Sequence, residues 1–116
     1  MEIKNVVVAG AGVLGSQIAF QMARCGYQVK IWNRHIDRAE KRLATIKAPF
    51  MKEMQATADD YQAACDNITS ISNDLAATVA DADLVIESVS ESVEIKKAFY
   101  SELCPLLPEK TITTSN

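Results

Sequence analysis

The sequence predicts an α/β domain, a doubly wound parallel sheet, and three observations predict it. Short β-branched runs alternate with segments of helical period along the 116 residues. The first run ends in a glycine cluster, Gly10-Ala11-Gly12-Val13-Leu14-Gly15, from which a helical period starts. A second run follows at the distance one βαβ crossover requires, and such crossovers are almost always right-handed.

Taken in order, residues 3–9 form a β-branched run of the kind a buried parallel strand uses. Val13, Leu14, Ile18, Met22 and Ala23 then fall on one helical face, and Gly26 stops that helix. Residues 27–32 give the second strand. Residues 36–65 show no strand pattern and read as a helical arm inserted after it. In this arm residues 37–46 form a helix, Pro49 breaks it, and residues 50–54 begin another. Thr57 and Asp60 have the spacing of a capping box and open a third helix over residues 58–65. An arm of this length far exceeds an ordinary αβ connection of roughly 2–6 residues, so it serves either function or packing. A strand at 67–72, a helix at 74–82, a buried strand at 83–89, a helix at 93–104 and a strand at 111–116 complete the alternation. In the last helix Ile95, Phe99 and Leu103 supply the apolar face, and Pro105 and Pro108 end it.

Composition narrows the function classes. A net charge of −3 gives no basis for nucleic-acid binding or for an anionic membrane surface. No apolar stretch reaches membrane-spanning length, and the amino terminus runs directly into a strand, so the expected location is cytoplasmic. Cys25, Cys65 and Cys104 form no CxxC pair and have no zinc spacing, so no metal site is expected.

The glycine cluster carries the chemistry. A GxGxxG string that closes a strand and opens a helix is a dinucleotide-binding fingerprint, and it makes the sheet Rossmann-type. Gly10 permits the tight turn, Gly12 admits a pyrophosphate to the backbone, and Gly15 lets helix and sheet pack closely. The N–H groups near Gly12, Val13 and Leu14 then point at the phosphates. No Gly-Lys-Ser/Thr follows, which excludes a Walker loop. The site belongs at the carboxyl ends of the strands, where the Gly loop meets Asn33, Arg34, Ser88, Val89, Ser90 and Glu91, and residues 114–116.

Asn33 stands 18 residues after Gly15, where an acid normally receives the ribose hydroxyls of NAD and repels the 2′-phosphate of NADP. An amide removes that repulsion. Arg34 beside it either grips a phosphate or is solvated. Glu87 interrupts an apolar strand and needs a partner, near the site or in the local backbone. Read without further context, Glu91 and Lys96 form a helix-surface ion contact.

Residues 6–32, the helical arm, and the stretch from residue 80 to 116 together resemble the amino-terminal domain of the 3-hydroxyacyl-CoA dehydrogenases, in matching order over essentially the whole chain. The resemblance implies a nicotinamide dinucleotide, NAD(P), held at Gly10, Gly12 and Gly15, with Glu91 and Lys96 at its nicotinamide half. Ser115-Asn116 would open the Ser/Thr-rich loop that touches the reacting hydroxyl. It also implies an acyl-CoA substrate. The catalytic histidine, its glutamate and a homodimerising helical domain would all lie beyond Asn116, leaving residues 1–116 as a single inactive binding domain.

The sequence departs from the family at two places within the chain. Asn33-Arg34 replaces the usual Asp, which favours NADP against the family's habit of NAD. Pro49 and Ala56 stand where the arm would offer a serine and a lysine to CoA, with Lys47 and Lys52 on nearby turns. The alternatives are a β-hydroxyacid dehydrogenase-type NADP domain, which would not need the arm, and a non-catalytic nucleotide sensor.

Overall fold

The computed structural model describes residues 2–89 and 92–115. Its elements are β1 (Asn5–Ala9), α1 (Val13–Arg24), β2 (Gln28–Trp32), α2 (Ile36–Ala44), α3 (Lys47–Glu53), α4 (Ala58–Asp66), β3 (Ile68–Ser72), α5 (Leu75–Val79), β4 (Leu84–Glu87), α6 (Val93–Leu103) and β5 (Ile112–Ser115). All strand pairs are parallel, in the order β3-β2-β1-β4-β5. The chain walks outward from β1 to β3, then returns to lay β4 on the other side of β1. That reversal opens a crevice between the carboxyl ends of β1 and β4, where Ala9 lies opposite Glu87.

Strand alternation divides the core into two layers. Val6 and Val8 face α1 with Ala19, Ala23, Val29, Ile31 and Ala39. Val7 and Ala9 face the opposite side, against Trp32, Leu75, Val79, Val85, Phe99 and Leu103. The doubly wound parallel sheet with an arm after its second strand is therefore present as the sequence predicts.

Three local expectations are corrected. The buried face of α1 is Gly15, Ser16, Ala19, Phe20 and Ala23, while Val13 and Leu14 are more than half exposed. Small residues let this helix press against the sheet, so the larger Ile18 and Met22 pack only at its margin. Pro49 does not end a helix; it is the third residue of α3, where its missing N–H has no helical partner to lose. Ile95 is 43% exposed and is not part of the core face that Phe99 and Leu103 provide.

The strands also end sooner than their apolar runs. At the amino ends, the Asp83 carboxylate accepts from the N–H groups of Lys4 and Asn5, both at 2.9 Å. Past β4, the Val89 N–H turns to the Glu87 side chain, so the ladder stops at Glu87.

The arm is fastened to α1 by aromatic contacts. The Phe20 ring meets Phe50 edge-on at 4.9 Å and stacks on Tyr61 at 5.6 Å. Thr57 and Asp60 form the predicted reciprocal capping box at the start of α4. Burial and the Cys65 thiol push the Tyr61 hydroxyl up to about 12.

Candidate functional site

At the carboxyl end of β1 the backbone turns through Gly10 at φ +103°. A Cβ at Gly10 would run into the Ser88 carbonyl, and one at Gly15 would overlap the Gly10 carbonyl oxygen. These two glycines therefore fix how closely loop, helix and β4 approach one another. Gly12 differs: a Cβ there would meet nothing within 4 Å, so the space beside it is open. Gly12 is also the N-cap of α1, with no side-chain cap and no acid in the first turn. The orphan N–H groups and the positive end of the helix dipole lie at this opening, the arrangement that suits an anion.

The opening belongs to a cleft of about 580 Å³. Its lining brings together Gly10, Gly12, Val13, Leu14, Gly15, Asn33, Arg34, Ser88 and Val89, nine of the residues singled out from the sequence. Glu91 and Asn116, also singled out, lie outside the described residues, as does Ser90. Lys96 is described but does not line the cleft; it sits behind it, on Glu87. Ile95, Arg38, Arg42 and Trp32 line the cleft and were not singled out. The two arginines had a signal in the sequence: they stand four residues apart, on one face of a helix, and Arg34 comes four residues before Arg38.

Asn33 is committed on both sides of its amide. Its Oδ1 accepts from the Ala11 N–H at 3.1 Å, and its Nδ2 donates to the His35 carbonyl at 2.8 Å. The side chain thus ties the Gly loop to the end of β2 and brings no charge. Arg34 lays its guanidinium 5.6 Å from the centre of the Trp32 ring, whose own N–H donates to the Asn73 carbonyl.

Glu87 finds partners in both places that the sequence left open. It is 1% exposed, and Oε2 accepts from the Val89 N–H at 2.7 Å. Oε1 accepts from Ser115 at 2.8 Å, from the Lys96 ammonium at 3.1 Å and from the Tyr100 hydroxyl at 3.3 Å. Burial alone would raise its pKa. The Ser115 hydroxyl, the Lys96 ammonium and the Val89 N–H overcome that and hold the carboxyl below its ordinary range. Tyr100 is pushed upward, by burial and by the neighbouring Glu87 charge. Glu91, which spacing paired with Lys96, lies outside the described residues; among them Lys96 pairs with Glu87, a contact that the sequence did not name. The reason is spatial: α6 packs across the end of β4, which a helix-surface spacing rule does not see.

A second hollow, of about 470 Å³, lies between α1 and the arm, floored by Phe20, Phe50 and Met54. Lys47 is drawn over the Tyr61 ring, 5.5 Å from its centre. No helix among the described residues is long and apolar enough to cross a membrane. No three His, Cys, Asp or Glu side chains among them gather as metal ligands do.

Residues 5–116 match the family model described as 3-hydroxyacyl-CoA dehydrogenase, NAD binding domain. The probable 3-hydroxybutyryl-CoA dehydrogenase of Bacillus subtilis is 33% identical, over all of this chain and 41% of that protein. A solved diketoreductase superposes with a TM-score of 0.92 at 43% identity, over all of this chain and 42% of that one. The 3-hydroxybutyryl-CoA dehydrogenase of Escherichia coli K12 gives a TM-score of 0.85 at 30% identity, over all of this chain and 25% of that one. The chain spans about two fifths of the length of the Bacillus relative.

Proposed function

The chain belongs to the NAD-binding domain family of the 3-hydroxyacyl-CoA dehydrogenases, and from that premise we propose that it is the nicotinamide-dinucleotide half of an oxidoreductase that interconverts a 3-hydroxyacyl-CoA and its 3-keto partner. The observation that carries this reading is the uncapped start of α1 beside the open space at Gly12, at the mouth of the cleft. A dinucleotide's pyrophosphate fits there without displacing any side chain.

Within the chain, the residues position and do not react. The α1 N–H groups bind the pyrophosphate, and Asn33 holds the Gly loop against β2. Glu87 fixes the Val89 N–H, Ser115 and Lys96 at the far end of the crevice. The nicotinamide, once bound, supplies the hydride acceptor or donor. A base must take the hydroxyl proton. The sole histidine, His35, follows Asn33-Arg34 at the end of β2, and we assign the base to the length of the relatives that this chain does not span. The relatives' additional length suits a catalytic His-Glu pair, a homodimer interface and completion of the acyl-CoA site. For the dinucleotide itself, Asn33 and Arg34 support NADP over NAD. A soluble, cytoplasmic setting suits such an enzyme.

Trp32 is the only tryptophan and lines the cleft, so its emission reports occupancy. Titration with NADPH and NADH should quench it saturably, with energy transfer to the reduced nicotinamide. The 116-residue chain should meanwhile show no dehydrogenase turnover. Absence of saturable quenching by either nucleotide into the millimolar range, roughly the upper end of physiological ligand affinities, would sink the proposal.

A further inference from the structure

The cleft carries more positive charge than a pyrophosphate uses. Its lining holds Arg34, Arg38 and Arg42, and no Asp or Glu among the described residues. None of these arginines makes an ion pair with a described residue; the salt bridges all lie elsewhere. Asp37 and Glu40, on the same helix, do not line the cleft. Arg38 and Arg42 stand one turn apart on α2, a rise of roughly 6 Å, and Arg34, two residues before the helix, lines the same cleft. Like charges at this spacing repel when nothing lies between them. The pyrophosphate is already provided for by backbone donors at the start of α1. A second anion is what the row fits.

Resting on the dinucleotide reading above, we infer that Arg38 and Arg42 act with Arg34 as specificity-determining residues that receive a phosphomonoester on the 2′ position of the adenosine ribose. The ligand of this domain is then NADP. Asn33 permits this because its amide is neutral and is held by one bond from the Ala11 N–H and one to the His35 carbonyl. A carboxylate at that position would repel the phosphate. Arg34 rests on Trp32, and the two helix arginines line the same cleft. Guanidinium groups suit the task because each presents paired donors to phosphate oxygens.

The test is calorimetric and needs no turnover. The full chain is titrated with 2′,5′-ADP, 3′,5′-ADP and 5′-AMP, which differ only in the extra phosphate and its position, and with NADPH and NADH. The expected order is 2′,5′-ADP tighter than 5′-AMP by about tenfold or more, as charge-assisted hydrogen bonds give, with NADPH likewise ahead of NADH. Arg38→Gln with Arg42→Gln should abolish most of that difference and leave 5′-AMP unchanged. All three arginines are exposed and Gln is a good helix former, so the variant should melt like the wild type.

Equal binding of 2′,5′-ADP and 5′-AMP, with NADH still bound, overturns the inference and leaves the dinucleotide reading standing. Preference for 3′,5′-ADP overturns it in favour of a CoA-type phosphate. A 2′-phosphate preference that survives the double variant and falls only with Arg34→Ala removes Arg38 and Arg42 from the role. Binding of none of the probes overturns the reading and the inference together.

Discussion

Asp83 and Glu87 bracket β4, both nearly removed from water at 5% and 1% exposure, and they serve opposite ends of the sheet. At the amino end, Asp83 caps the Lys4 and Asn5 N–H groups and holds Lys110 at 2.7 Å. The Lys110 hydrogen bond and the two backbone donors drive its carboxyl far below the ordinary range. It closes the mouth of β1 and ties in the turn before β5. At the carboxyl end, Glu87 gathers a lysine and a tyrosine from α6, a serine from β5 and the backbone N–H of Val89 just past β4. The same residue chemistry thus fastens the sheet at one end and shapes the candidate site at the other.

The largest effect should come from breaking the buried centre. Glu87→Ala takes away the carboxylate that accepts from the Val89 N–H, Ser115 and Lys96, and Lys96 has only 22% of its side chain exposed. Removing one partner of a buried ion pair costs about 3–5 kcal/mol; partial exposure of Lys96 brings the expectation to about 2–4 kcal/mol. Urea unfolding measures it, and a loss under about 1 kcal/mol would show that the cluster is not a fastening point. Asp83→Ala should cost less. Lys110 is half exposed and returns to water, and the freed N–H groups lie at the sheet's rim. Its signature is lost stability with unchanged NADPH affinity, whereas Glu87→Ala should lose both. An affinity loss in Asp83→Ala would erase the division between the two ends.

These two carboxylates also mark how far the sequence could be read. The Gly10–Gly15 turn, the βαβ unit and the capping box at Thr57 are local, and local chemistry writes them into consecutive residues. Glu87 announced a need for a partner, but its partners come from positions 89, 96, 100 and 115. Only the packing of α6 and β5 against β4 brings those together. The face of α1 was misjudged for a related reason: hydrophobicity marks Leu14 and Met22, whereas close approach to the sheet selects Gly15, Ala19 and Ala23. Arg38 and Arg42 were legible as a period-four row. What the row faces depends on how α2 sits across the end of β2, which no spacing states.

The smallest effect, and the sharpest for the comparison, is on acid unfolding. Both carboxyls are held below their ordinary values, near 4, in the folded protein. Between the folded and the ordinary value, the unfolded chain binds the extra proton. Stability therefore rises with pH through that window. The contribution is fully present above about pH 5 and drains away as pH falls through the folded values. Asp83→Asn and Glu87→Gln each remove one group from this balance while keeping its size, so each should flatten the fall of the urea midpoint between about pH 5 and pH 2.5. Slopes unchanged from the wild type would mean that neither carboxylate is held as the geometry requires. The two ends separate by a second readout at neutral pH. Glu87→Gln removes the negative charge from the cluster that holds the Val89 N–H and Ser115 beside the crevice and should alter NADPH affinity by a few-fold, about one charge-assisted contact or less. Asp83→Asn, at the far rim of the sheet, should leave that affinity where it was.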